Sequence, residues 1–89
     1  MNYPQIPGIE AIYSKKILEI FQKAPPDTEV ILFGSRAKGN YREGSDIDLA
    51  IKGQKIGISD RNDWLSAYAE LNLPWILDIL IYGMIEEPE

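Results

Sequence analysis

Asp46 and Asp48 stand two residues apart in "SDIDLAIK", where the other members of the run, Ile47, Leu49, Ala50 and Ile51, are apolar. A third aspartate, Asp78, interrupts "WILDILIY" in the same way. Burying an unpaired carboxylate is costly, and neighbouring carboxylates repel one another, so such a group calls for a cation. Hard oxygen ligands, with waters and phosphates completing the shell, suit Mg²⁺ or Mn²⁺. Two such ions about 3.5–4 Å apart can hold both oxygens of an in-line phosphoryl displacement. Asp46, Asp48 and Asp78 are therefore candidate catalytic residues and metal ligands. Taken singly, each is explained better by a strand-end or edge charge facing water; for a pair plus a third that explanation is the weaker one.

The complementary half is the polar stretch before them. Gly34 and Ser35 directly follow the apolar "EVILF", so their backbone N–H groups and the Ser35 hydroxyl can approach phosphate oxygens, with Arg36 and Lys38 adding positive charge. These four are the candidate nucleotide-binding residues. A plain turn followed by solvated charges, Arg36, Lys38 and Arg42, is the simpler alternative. Two other motifs fail. "GSRAKGNY" has Asn40 and Tyr41 where a Walker A loop needs Lys and a hydroxyl, and Ala50 and Lys52 follow Asp48 where a calcium-binding EF-hand loop needs oxygen ligands and glycine.

The elements that must position these groups follow from periodicity. Ile9, Ile12, Tyr13, Ile17, Ile20, Phe21 and Ala24 form a helical stripe over residues 9–24, ended by Pro25-Pro26. Glu29–Phe33 reads as a buried strand, and Ser35–Ser45 as a loop that can open with a helical turn. Asp46–Lys52 alternates as a strand, with Ile47, Leu49 and Ile51 on one face and Asp46, Asp48 and Ala50 on the other. A spacing of two along a strand is about 6.5 Å, which sets the two aspartates side by side. Ser59–Leu71 reads as a second helix, with Ser59 or Asp60 as N-cap, Asp63 in the first turn and Trp64, Leu65, Tyr68 and Leu71 inward. Trp75–Tyr82 reads as a third strand, Trp64, Tyr68 and Trp75 as core aromatics, and the "EEPE" tail as frayed.

Composition narrows the chemistry. The 89 residues, 45% apolar, read as one globular domain, 1–89, which buries only roughly 60–65% of its unfolded surface. There is no cysteine and no histidine, which excludes disulfides, thiolate nucleophiles, imidazole ligands and histidine acid–base work. A formal charge of −5 disfavours extended nucleic acid, because nonspecific affinity for phosphate chains comes mainly from Lys and Arg. A single nucleotide fits better. No apolar run reaches the roughly 20 residues of a bilayer span, and "MNYPQIPGIE" lacks signal-peptide features, so a cytoplasmic protein without membrane contact is expected.

With these residues in view, "FGSRAKGNYREGSDIDLAI" resembles the signature of the nucleotidyltransferase superfamily related to DNA polymerase β: a hydrophobic strand, Gly-Ser, a ten-residue spacer and Asp-x-Asp in the next strand. The short chain is similar to minimal nucleotidyltransferase (MNT) proteins, including the antitoxins that pair with HEPN-domain toxins. The resemblance implies an α/β (α+β) fold, a small mixed β-sheet with helices packed on one face, of the polymerase β-like palm type. It also implies that Gly34 and Ser35 hold the triphosphate and that Asp46 and Asp48 bind two Mg²⁺ ions, or Mn²⁺. Asp78 becomes the third carboxylate, able both to ligate a metal and to help deprotonate the attacking hydroxyl.

The activity so implied is transfer of a nucleoside monophosphate, AMP by preference, from a nucleoside triphosphate such as ATP to a hydroxyl. Many relatives continue past the third strand, whereas this chain stops at Glu89, so the acceptor is expected from outside, on a HEPN-domain partner, with a homo-oligomer as the other expected assembly. The competing expectation is a binding module, an antitoxin that neutralises its HEPN partner by contact. Transfer to an antibiotic or another small molecule is a third, weakened by the want of a second domain.

Overall fold

The computed structural model describes residues 3–82. Its elements run α1 (Ala11–Leu18), a 3-10 turn (Glu19–Phe21), β1 (Glu29–Phe33), α2 (Gly34–Lys38), β2 (Ile47–Lys52), α3 (Ile58–Ala69) and β3 (Leu77–Ile81). The strands form one sheet in the order β1-β2-β3, with β1 antiparallel and β3 parallel to β2. This is the expected small mixed sheet with helices.

Alternation along the strands divides the sheet into two faces. Val30, Ile47, Leu49, Ile51, Leu77, Ile79 and Ile81 are buried beneath Ile17, Phe21, Trp64 and Tyr68 of the helical layer. Phe21 and Trp64 meet edge to face at 5.1 Å, and the Tyr68 hydroxyl donates to the Trp75 carbonyl at 2.7 Å, fixing α3 to the segment that enters β3. The opposite face carries Ile31, Phe33, Asp48, Ala50, Asp78 and Leu80. The aspartates are tolerated because they lie on this second face, away from the core.

Several boundaries differ from expectation. The first helix is shorter than 9–24: its last turn tightens to 3-10 over Glu19–Phe21, and Ile9 belongs to a preceding turn. Leu18 is buried while Ile12 is 62% exposed, so the inner stripe is rotated from the expected one. Glu29–Phe33 is an edge strand with Ile31 exposed, not a fully buried one. Asp46 falls just before β2, and β3 is shorter than Trp75–Tyr82. The cap of α3 is Gly57, whose N–H donates to the Asp60 carboxylate at 2.9 Å; Asp60 therefore serves from inside the first turn, and neither it nor Ser59 is the N-cap. Trp64 and Tyr68 are core aromatics, with Trp75 half-buried against them. The "EEPE" tail lies outside the described residues.

Candidate active site

Because β1 runs against β2 and β3, the C-terminal end of the first strand meets the N-terminal ends of the other two. The sequence places its chemistry at this one end of the sheet. Phe33, the residue before Gly34, is in register with Asp48, and Asp48 is in register with Asp78. Adjacent strands lie about 4.8 Å apart, so Asp48 and Asp78 stand side by side on the open face, with Asp46 two residues upstream. Asp46 and Asp78 are exposed and Asp48 is half-buried.

The glycine of "FGS" is explained by geometry. Gly34 has φ +78°, a conformation that side chains resist, and a Cβ there would overlap the Asp48 carboxylate, coming within 3.0 Å of its Cγ. Gly34 and Asp48 are therefore in direct approach. No side chain caps the first turn of α2, which leaves the N–H groups around Gly34 and Ser35 open to an anionic oxygen. Ser35 is half-buried beside them, and Lys38 is exposed one turn further along.

Arg36 corrects the expectation of a phosphate ligand. Its side chain is 1% exposed and its guanidinium faces main-chain carbonyls. Nη1 donates to Pro7 at 2.7 Å, Nη2 to Ser45 at 2.9 Å and Glu43 at 3.2 Å, and Nε to Ser45 at 3.2 Å, with the Tyr41 ring stacked 5.1 Å away. Those donors are committed to the protein.

Arg61 is the residue that sequence reasoning missed. From α3, its Nε donates to the Ile79 carbonyl at 2.6 Å, and its Nη2 lies 3.8 Å from Asp78 Oδ1. The pair is well exposed, so it contributes little to stability, but it places a cation beside the third carboxylate. Nothing in the polar face of an amphipathic helix marks such a contact; only the packing of α3 against β3 creates it.

The electrostatics fit a metal. The Asp48 carboxyl is held above the usual carboxylate range, first by partial burial and then by the negative charges of Asp78 and Asp46. A divalent cation would relieve that repulsion. Among the described residues no three carboxylates converge on one metal-sized point, and Asp78 Oδ1 lies 3.8 Å from Arg61 Nη2. The oxygen-only donor set and the room left by Gly34 suit a hard cation carrying a phosphate.

The family model of the nucleotidyltransferase domain matches residues 14–89. The chain belongs to the nucleotidyltransferase domain family. It is also similar to the "Probable protein adenylyltransferase MntA" of Haemophilus influenzae, with 38% identity over 69 residues. That match covers 76% of this chain and 60% of the relative, so the chain spans rather less than two thirds of the relative's length. Gly34, Ser35, Asp46, Asp48 and Asp78 all fall within the matched residues, at one end of the sheet. No helix among the described residues is long and apolar enough to cross a membrane.

Proposed function

We propose that this nucleotidyltransferase domain is a Mg²⁺-dependent adenylyltransferase that moves AMP from ATP to a protein hydroxyl. The observation that carries the reading is the register of Asp48 with Asp78 on one side and the approach of Gly34 to Asp48 on the other. A phosphate turn and paired carboxylates thereby share one small volume. The name of the Haemophilus relative supports AMP as the transferred group and protein as the acceptor class.

Each residue then has a task. The N–H groups at Gly34 and Ser35, with the Ser35 hydroxyl, hold phosphate oxygens, and Lys38 adds charge at the rim. Asp46, Asp48 and Asp78 are the residues that would hold the cations. Bound there, the metal ions would neutralise charge on the attacking and leaving oxygens. In the reaction the acceptor oxygen bonds to the α-phosphorus, the bond from that phosphorus to the bridging oxygen breaks, and pyrophosphate leaves. Asp78, on the strand farthest from the Gly34–Ser35 turn, takes the hydroxyl proton. The acceptor in this proposal is a tyrosine of a HEPN-family partner, consistent with the MNT resemblance.

The contact-only reading has one observation in its favour: among the described residues no three carboxylates converge on one metal-sized point. Incubating the copurified partner with α-labelled ATP and Mg²⁺ separates the two. The expected result is label on the partner, reduced at least about 100-fold by Asp46→Asn while the complex survives, since misplacing one catalytic contact costs on that scale. Tight binding by wild type without any labelling would leave the contact-only module, and wild-type labelling by Asp46→Asn would remove Asp46 from the site.

A further inference from the structure

The shortest hydrogen bond of the buried Arg36 guanidinium reaches a segment with no assigned role. Residues 6–9, "IPGI", form a turn in which the Ile9 N–H donates to the Ile6 carbonyl at 3.3 Å. Gly8 has φ +83°, so the turn has the type II arrangement, with proline first and glycine second at its centre. Type I and type II turns differ by a flip of the central peptide. That flip decides which way the Pro7 carbonyl points. In the type II arrangement it accepts Arg36 Nη1 at 2.7 Å, and buried Ile6 and Ile9 anchor both ends of the turn in the core.

The other edge of the guanidinium holds the strand-entry loop. Ser45, the residue before Asp46, receives Nε and Nη2, and Glu43 receives Nη2 as well. The loop is also closed on itself: the Arg42 N–H donates to the Ser45 hydroxyl at 2.7 Å and the Ser45 N–H to the Arg42 carbonyl at 3.0 Å. Arg36 itself follows Ser35 in α2. One side chain thus joins the phosphate turn, the loop that delivers Asp46, and the N-terminal turn. Among the described residues no carboxylate pairs with it, so carbonyl dipoles and the Tyr41 ring compensate a buried charge, and losing one of them is felt by the rest.

We propose that the Ile6–Ile9 turn, acting through Arg36, is a positioning element for the carboxylate loop: the orientation of the Pro7–Gly8 peptide sets how the site holds a metal-bound nucleotide. The proposal rests on the function given above. The turn lies ahead of residues 14–89, where the family match falls.

Gly8→Ala tests it in the full chain without touching a candidate ligand. An alanine resists positive φ, and its Cβ would overlap the Tyr41 ring and come within 2.9 Å of Arg36 Nη1, so the turn flips toward type I and withdraws the carbonyl. Amide exchange at residues 43–47 should accelerate about tenfold, while Leu49 and Ile51 in β2 are little changed. Binding of Mn²⁺ with a non-hydrolysable ATP analogue, followed by electron paramagnetic resonance, should weaken about tenfold, the scale of one charge-assisted hydrogen bond. Arg36→Lys, whose ammonium cannot span carbonyls on both sides, should act in the same direction. Unchanged exchange at residues 43–47, or unchanged Mn²⁺–nucleotide binding beside accelerated exchange, would overturn the proposal. If neither variant folds, wild type decides it. Linkage requires Mg²⁺ with the analogue to slow exchange of the Arg36 Nε–H, and an unaffected rate would overturn the proposal. Should wild type bind no metal-bound nucleotide at all, the function falls, while the exchange arm still reports on the turn.

Discussion

Asp48→Asn is expected to melt above wild type at neutral pH without divalent cations and below it once Mg²⁺ and ATP are present. The first half follows from charge. Partial burial and the Asp78 and Asp46 carboxylates all disfavour ionised Asp48, so the folded state holds its proton more tightly than the unfolded chain does. Ionised Asp48 therefore destabilises the fold at pH values above its titration, and that penalty fades as pH falls through it. The advantage of the asparagine should shrink accordingly and vanish in acid, below the pKa of an unfolded aspartate. The second half follows from mass action. Ligand at a hundred times its Kd adds about 2.7 kcal/mol, or about 10–20 °C in Tm for a domain of this size, and only wild type should collect it. Thermal melts across pH, with and without Mg²⁺ and ATP, check both halves; an unchanged order of melting in the two conditions would contradict them.

Gly34→Ala is expected to be the most damaging single methyl group in the chain. At φ +78° it adds about 1–2 kcal/mol of backbone strain, and its Cβ drives into the Asp48 carboxylate. Relief requires either Asp48 or the start of α2 to move, which parts the phosphate turn from the metal ligand. Transfer should fall at least about 100-fold, because a displacement of about 1 Å costs on that scale, and Tm should drop by about 4–16 °C. Gly39→Ala serves as the control: its φ of +87° carries the same backbone strain, but a Cβ there meets nothing within 4 Å. It should lose stability without a matching loss of transfer. Equal losses of transfer in the two variants, measured with labelled ATP, would show that strain and not the Asp48 approach matters.

The strands and the direction of the aspartates were legible in the sequence because a period of two is a local property. Glu29–Phe33 matches its strand end to end, and Ile47, Leu49 and Ile51 turn inward while Asp48 turns out. That Asp78 would stand opposite Asp48 was not readable from spacing, since it depends on β3 docking parallel to β2 across the α3 crossover. The family resemblance supplied that step. Arg36 was misjudged for a related reason. A basic residue just after a Gly-Ser turn reads as a phosphate ligand or a solvated charge, and the direction it takes is set by a carbonyl 29 residues away. Arg61 and Asp78 meet only because α3 lies against β3. Helix ends failed locally: Gly57 caps α3 through its backbone, with Asp60 answering from inside the first turn, a pattern that composition alone does not separate from a Ser59 or Asp60 cap.

The central claim is that Gly34, Ser35 and the three aspartates hold a metal-bound nucleotide at one end of the sheet. Counting Mn²⁺ by electron paramagnetic resonance, while titrating a non-hydrolysable ATP analogue into the full chain, tests it most directly. About two Mn²⁺ ions per chain should be taken up with one nucleotide, and Asp48→Asn should abolish that uptake. Nucleotide that binds without Mn²⁺, or Mn²⁺–nucleotide uptake that Asp48→Asn leaves intact, would contradict the account.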